Sequence, residues 1–315
     1  MNISQHLRER KCPLCGSTDR TAVRYAANFD ESKLDEFAFA SRKLPELMHL
    51  TLVECPECHL LYASPALTGG FLASAYGEAS YDSTEEAQYA ARTYAAELPR
   101  IMHSVFPVSG AALEVGSGNG AFLAHLKKVG FSSVIGVEPS MAAANQAAPE
   151  VRSLIRLGMF DPKDFDPASL SLFACFQTIE HLENPRELCE AASRLLCPGG
   201  AIYLVGHDRE SPVNRAMGTR SPIFDIQHQQ LFSKKSLRYL LESTGFTGVE
   251  ITTIRNRYPI AYWVKLLPLP AVFKKGLLRI FTASGLGRMS VALNVGNLAA
   301  VGYKPVGGRS EVIPV

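Results

Sequence analysis

The sequence predicts an α/β protein: a doubly wound, mainly parallel sheet preceded by a small metal-stapled module. Three observations carry the prediction. Short apolar runs alternate with helical stretches between Gly110 and Gly206, the pattern of successive β-α-β units. A glycine-rich turn, Gly116-Ser117-Gly118-Asn119-Gly120, follows the first apolar run and opens a helix. Two Cys-x-x-Cys pairs, Cys12/Cys15 and Cys55/Cys58, stand before this region.

The elements follow in order. Residues 1–64 carry the paired cysteines and a short helical run over 30–40, and residues 65–107 are rich in Ala and Tyr with helical spacing over 84–103. Strands are expected at 111–115, 133–137, 153–157, 172–176 and 201–205, with helices at 120–129, 140–148 and 184–196 between them. The run Cys197-Pro198-Gly199-Gly200 reads as a turn that stops the last of these helices. An amphipathic helix at 234–245 and strands at 249–254 and 297–303 complete the pattern. Between those last strands lies a stretch whose Trp263 and leucines are interrupted by Pro268 and Pro270. The expected domains are 1–64, a metal module; 65–107, a helical connector; and 108–315, the α/β domain with an insertion at about 257–295.

Composition excludes several classes. The 315 residues are 47% hydrophobic and 20% charged, with net charge +2, which is neither a disordered nor a supercharged chain. No apolar run reaches the roughly 18–20 residues that span a bilayer, and the first ten residues lack a secretory core, so a cytoplasmic location is expected. The charge is skewed: residues 250–315 hold 9 Lys/Arg against 2 Asp/Glu. No dense basic segment interleaved with aromatics appears, so nucleic acid is not an expected partner.

Seven cysteines without an export signal argue for free thiols rather than a disulfide framework. Each Cys-x-x-Cys sets two thiols on one tight knuckle, and two such pairs complete a closed Cys₄ site for a structural Zn²⁺. Such a metal replaces the core that about 60 residues can barely build. The zinc-ribbon-like module therefore has Cys12, Cys15, Cys55 and Cys58 as its expected ligands.

The glycine turn presents unpaired N–H groups at a helix start. Eighteen residues beyond Gly120, Glu138 ends the second strand, where a carboxylate accepts both ribose hydroxyls of a nucleoside. Gly116-x-Gly118-x-x-Ala121 also satisfies a dinucleotide pattern, which keeps an NAD-dependent oxidoreductase open. Against it, Glu114 lies two residues before Gly116, where its charge would repel a pyrophosphate and attract a sulfonium or an ammonium.

Across about residues 70–305 the chain resembles the class I S-adenosylmethionine-dependent methyltransferases. The resemblance rests on Leu113-Glu-Val-Gly-Ser-Gly-Asn-Gly120, Val137-Glu-Pro-Ser140, Gln177-Thr-Ile-Glu-His181 with Pro185, Leu196-Cys-Pro-Gly-Gly200, and residues 225–233 followed by 237–246. The cysteine pairs are similar to a zinc-binding module that precedes some of these domains. The resemblance implies a Rossmann-like, seven-stranded sheet with an antiparallel last strand. It implies that Glu114, Gly116, Ser117, Gly118 and Gly120 line the methionine and ribose side of S-adenosylmethionine and that Glu138 takes the ribose. Phe160 would flank the adenine, Gln177 would lie at the fourth strand end, and Tyr81, with Tyr76, would sit in a segment folded over the cofactor. Met159 stands where the family usually has an acid for the adenine amine, so a backbone carbonyl or Asp161 would have to serve.

Methyl transfer from a sulfonium is an in-line displacement, so the protein must align the reactants and free the nucleophile of its proton. Histidine is the first candidate base. His181, past the fourth strand, and His228, after the fifth, are both expected at the carboxyl edge of the sheet, where ligands bind. Glu180 and Asp225 could orient either imidazole, and Glu180, His181 and His228 could also hold a divalent ion. The expected activity is methylation, at oxygen, of a small hydroxylated molecule such as a sugar or glycan intermediate. A sugar C-methyltransferase and a non-catalytic module that binds the cofactor or a partner remain alternatives. Residues 258–281 could touch a membrane surface or a lipid-linked intermediate, close as a lid, or form a homodimer face.

Overall fold

The computed structural model describes residues 2–35, 37–40, 46–105, 110–266 and 271–307. The N-terminal segment contributes four short strands, β1 (Leu7–Arg8), β2 (Leu52–Glu54), β3 (Leu61–Ala63) and β4 (Ala66–Leu67). The helical run expected near residues 30–40 is a 3₁₀ turn, Glu31–Lys33, with the Asp30 side chain accepting from the Ser32 amide. Helices α1 (Gly69–Glu78), α2 (Thr84–Ala95) and α3 (Leu98–His103) follow; Pro99 at the start of α3 splits the expected 84–103 stretch in two.

The alternating region forms β5 (Ala111–Val115), α4 (Leu123–Leu126), β6 (Val134–Glu138), α5 (Met141–Asn145), α6 (Pro149–Arg152), β7 (Ile155–Leu157), β8 (Leu170–Phe176), α7 (Pro185–Leu195) and β9 (Leu196–His207). After it come α8 (Pro212–Met217), β10 (Gln230–Leu231), α9 (Lys234–Ser243), β11 (Thr247–Pro259), α10 (Ile260–Leu266), α11 (Ala271–Ala283) and β12 (Ser290–Tyr303).

Seven strands join in the order β11-β12-β9-β8-β5-β6-β7. β7, β6, β5, β8 and β9 are parallel, and β12 is antiparallel to both β9 and β11. The strand order reverses beside β5, and there Val115 sits opposite both Val137 and Cys175, so the glycine turn emerges at the switch point where α/β sheets bind ligands. All seven residues of β8 are buried, which requires cover on both faces. Leu188, Leu195, Leu237 and Leu241 pack one side against Phe173 and Leu204, and Tyr94, Ile101, Phe122 and Leu126 pack the other against Leu172 and Tyr203.

Two details differ from the sequence reading. Residues 197–200 are part of β9 rather than a turn closing α7, because the Gly199 amide and the Gly200 carbonyl pair with the backbone of Lys304. β11 and β12 are longer than expected and form a hairpin reaching past the sheet, so its strands take residues 257–259 and 290–295 of the region read as an insertion, with α10 and α11 between them; residues 267–270 there lie outside the described residues.

The N-terminal segment is built into the α/β unit. β10 pairs antiparallel with β3, setting Gln230 opposite Tyr62 and Leu231 opposite Leu61. The Arg10 guanidinium donates to the carbonyls of Ala63 (2.9 Å), Glu183 (2.8 Å) and Gln229 (2.5 Å), joining both parts through one side chain with a planar set of donors. Among the described residues no helix is long and apolar enough to cross a membrane.

Candidate functional site

Each cysteine pair makes the same turn. The Gly16 amide donates to Cys12 O and the His59 amide to Cys55 O, and both residues after the second cysteine take positive φ, 74° at Gly16 and 58° at His59. The knuckles face each other with Cys12 Sγ 3.4 Å from Cys58 Sγ and Cys15 Sγ 3.4 Å from Cys55 Sγ, and all four sulfurs lie within 4.8 Å of one another. A tetrahedron with metal–sulfur distances of about 2.3 Å has edges of about 3.8 Å, so the four thiols fit a Zn²⁺-sized ion.

At the carboxyl edge of the sheet, Gly116 (φ 75°), Gly118 (φ 53°) and Gly120 (φ 71°) turn the chain from β5 towards α4. A Cβ on Gly116 would collide with the Thr178 side chain, so that position requires glycine for space as well as for backbone geometry. Glu138 fixes the turn: one carboxylate oxygen accepts from the Gly118 amide at 2.7 Å and the other from the Ser140 amide at 2.8 Å. Burial raises the Glu138 pKa, and those two amides oppose the rise. Glu114, on the central strand, is 4% exposed. Burial, with the Glu138 charge as a lesser cause, pushes its carboxyl well above the usual carboxylate range. Glu114 Oε2 and Ser117 Oγ are buried without a hydrogen-bond partner. Phe160 packs against Phe165 and Phe173 beside Met159 on the same cavity wall. Asp161 caps a local turn by accepting from the Lys163 amide, and its side chain lies outside that wall.

The chain leaves β8 through Gln177, held at φ 49° with its amide bonded to Val205 O. The following 3₁₀ turn, Ile179–His181, sends Glu180 inward and His181 towards the cavity. Glu180 Oε1 accepts from the His207 amide at 2.6 Å, and Oε2 is buried without a hydrogen-bond partner. Its hydrogen bond therefore ties Glu180 to the end of β9 rather than to an imidazole. Asp225 shapes the turn that presents His228: its backbone oxygen accepts from the His228 amide, and its carboxylate from the Gln227 amide.

The structure brings His181 and His228 together, ring centroids 4.8 Å apart, and adds His207 at 5.4 Å from His228. His228 Nδ1 lies 2.7 Å from Ile223 O. A carbonyl only accepts, so Nδ1 carries the proton and Nε2 keeps a lone pair. The Asn297 Oδ1 lies 3.0 Å from His207 Nδ1, Asn297 Nδ2 donates to Asn256 Oδ1, and Asn256 Nδ2 donates to the Tyr258 hydroxyl. In that arrangement His207 also donates through Nδ1. His181 Nδ1 is 2.9 Å from the Tyr76 hydroxyl. Burial first, and then His228 and His207, hold His181 well below the usual imidazole range; burial likewise lowers His207.

These groups line one cavity of about 1260 Å³, larger than the roughly 300–1,000 Å³ of a typical single-ligand pocket. The glycine turn, Glu138, Tyr81 and Phe160 form one end, and the histidines and Gln177 the middle. The far walls are mostly apolar, with Phe39, Leu72, Ile223, Met217, Trp263 and Leu293. Sequence reasoning missed His207 and the Asn256–Asn297 pair; the position of His207 at the last residue of the fifth parallel strand was the available signal.

A family model described as a methyltransferase domain matches residues 86–251, more than half of the chain. No curated protein matches the chain in sequence. Among solved structures, a SAM-dependent methyltransferase of Thermotoga maritima is 20% identical, with 70% of this chain and 92% of that one covered and a TM-score of 0.46. A SAM-dependent methyltransferase of Archaeoglobus fulgidus is 18% identical (68% and 94% covered, TM-score 0.45). The geranyl diphosphate C-methyltransferase of Streptomyces coelicolor A3(2) is 15% identical (66% and 78% covered, TM-score 0.42).

Proposed function

The chain belongs to the methyltransferase-domain family, and from that premise we propose that this S-adenosylmethionine-dependent enzyme methylates a hydroxyl on a small acceptor with an apolar body, of the sugar or lipid-linked glycan kind. The cofactor fits the residues present. Glu114 Oε2 and Ser117 Oγ are buried and unpartnered where a bound ammonium and polar groups would satisfy them. Glu114, Ser117 and the glycines would hold the methionine end, Glu138 the ribose and Phe160 the adenine, with Gln177 and Tyr81 closing the sides. S-adenosylmethionine, when bound, supplies a methyl group activated on a sulfonium.

The protein's own contribution is to place the acceptor and remove its proton. His228 Nε2 would take the hydroxyl proton, and the resulting imidazolium would keep its Nδ1–H on Ile223 O. The apolar far walls would hold the acceptor's body and exclude water. His181, kept neutral by burial beside Tyr76, would position the hydroxyl rather than carry charge. Glu180 would hold the end of β9, and with it His207, through the His207 amide. The observation that carries this reading is the 2.7 Å contact from His228 Nδ1 to Ile223 O, which leaves Nε2 as the proton-free nitrogen of a ring that lines the cavity.

The test is turnover of His228→Gln on a panel of hydroxylated lipids and glycosides, with S-adenosylhomocysteine binding followed by calorimetry. Lost turnover with retained binding supports the reading; unchanged turnover removes His228 from the chemistry. Locating the methyl group in the product separates oxygen from carbon attack. The same proposal takes Zn²⁺ as the structural ion of Cys12, Cys15, Cys55 and Cys58, and a reducing, cytoplasmic setting for the seven free thiols.

A further inference from the structure

The β11–β12 hairpin carries α10, α11 and the 3₁₀ turn Leu286–Arg288 at its tip, and α11 has two different sides. At 100° per residue, Lys274, Leu277, Leu278 and Phe281 share one half of the helix, and all four are half-buried. Lys274 borders the cavity, as do Trp263 of α10 and Leu293 of β12. The described residues of the other half are exposed. It carries Phe273 and Ile280 two turns apart, 67% and 64% exposed, flanked by the exposed Lys275 and Arg279 one turn apart. Next to the helix, Leu286, Met289 and Val291 are also exposed. Large aliphatic and aromatic side chains standing out beside a row of cations form an interfacial surface rather than a solvated helix face.

Charge selects the occupant. Between residues 251 and 310 the sequence has no Asp or Glu. A second copy docking through the same face would set Lys275 and Arg279 against their own kind, since a twofold contact repeats one patch on both subunits. A layer of phosphate headgroups complements that row, and the acyl boundary below it suits Phe273 and Ile280. We propose that α11 docks this protein on an anionic lipid bilayer, with Phe273 and Ile280 at the acyl boundary and Lys275 and Arg279 on the phosphates. The cavity rim at Lys274 and Trp263 then lies next to the membrane, where an acceptor with an apolar tail is held. The docking follows from the surface alone and does not depend on the assignment of the base.

The experiment is sedimentation of the full chain with vesicles of phosphatidylcholine, alone or mixed with phosphatidylglycerol. The expected result is binding to the mixed vesicles that weakens with added salt. Lys275→Gln with Arg279→Gln should weaken it about 30-fold, at the usual contribution of a surface cation. Phe273→Ser with Ile280→Ser should weaken it by about 100-fold or more, with far-UV circular dichroism and S-adenosylhomocysteine affinity unchanged in both variants. Failure of the wild type to bind mixed vesicles, or binding that neither pair of substitutions reduces, would overturn the proposal. A dimer in solution that Phe273→Ser with Ile280→Ser converts to monomer would also overturn it, assigning the face to a second copy.

Discussion

Replacing Glu114 by Gln keeps the shape of the side chain and removes its charge. In the folded protein burial raises the Glu114 pKa well above the usual range, whereas in the unfolded chain it returns to about 4.3. A folded-state pKa above the unfolded one means that the folded protein holds the extra proton between the two values. The ligand-free protein therefore loses stability as pH rises through that window, and the loss is complete once Glu114 has ionised. A cation in the cavity reverses the balance, because it pairs with the carboxylate, lowers the pKa and expels the proton. A hydrogen bond to a charged group contributes about 1.5–3 kcal/mol, or roughly 10- to 150-fold in Kd. Titration calorimetry with S-adenosylhomocysteine, which retains the α-ammonium, reads the effect. The wild type should bind more tightly as pH rises through the Glu114 window and release a proton, seen as a heat that depends on the buffer. Glu114→Gln should bind roughly 10- to 150-fold more weakly without that pH dependence, and its ligand-free melting temperature should be unchanged or higher. Equal affinity for wild type and variant across the pH range would refute the role given to Glu114.

Four further outcomes are expected. His228→Gln should lower kcat by about 100-fold or more while leaving S-adenosylhomocysteine binding intact, measured by steady-state kinetics and calorimetry. Gly116→Ala should destabilise the fold by about 1–3 kcal/mol, since the new Cβ meets Thr178 at a positive φ, and urea melts would show it. Tyr76→Phe removes the hydroxyl beside His181 and should cost about 1 kcal/mol of stability, with an increase in KM larger than any fall in kcat. Cys55→Ser should abolish stoichiometric zinc, read by metal analysis, and lower the melting temperature by several degrees.

Much of the fold was legible because the central strands bury both faces, which leaves continuous apolar runs such as 172–176 and a glycine turn of fixed spacing. The outward extension of the last hairpin, residues 255–259 and 290–296, was not. Along β11 only Ile254, Asn256 and Tyr258 are buried, while Thr252, Thr253, Arg255 and Arg257 face outward, and a strand with one polar face and a buried asparagine gives no apolar run to read. The same reason hid part of the site. Asn297 meets His207 from 90 residues away, and Asn256 meets Asn297 from 41, pairings set by β12 lying between β9 and β11. His181 and His228 were legible as residues at the strand ends. Which nitrogen of His228 is basic depends on Ile223 O, whose approach only the folded loop fixes.

The cysteine module bears on the proposed chemistry through the same loop. Six residues beyond Ile223 the chain reaches Gln229, whose amide donates to Glu180 O, whose backbone carbonyl accepts from the Ala63 amide and the Arg10 guanidinium, and whose side-chain oxygen accepts from the Leu67 amide. Gln230 donates to Ile179 O and Leu182 O on the other side. His228 is thus one residue from a segment clamped between the strand that follows the second cysteine knuckle and the turn that carries His181. The glycine turn and Glu138, by contrast, are fixed by β5, β6 and the Ser140 amide, with no hydrogen bond to the cysteine module among the described residues. Under the proposed function, the cofactor end is set by the parallel sheet and the acceptor end jointly by the sheet and the cysteine module. Loss of the metal should accordingly displace the imidazoles before it disturbs the glycine turn.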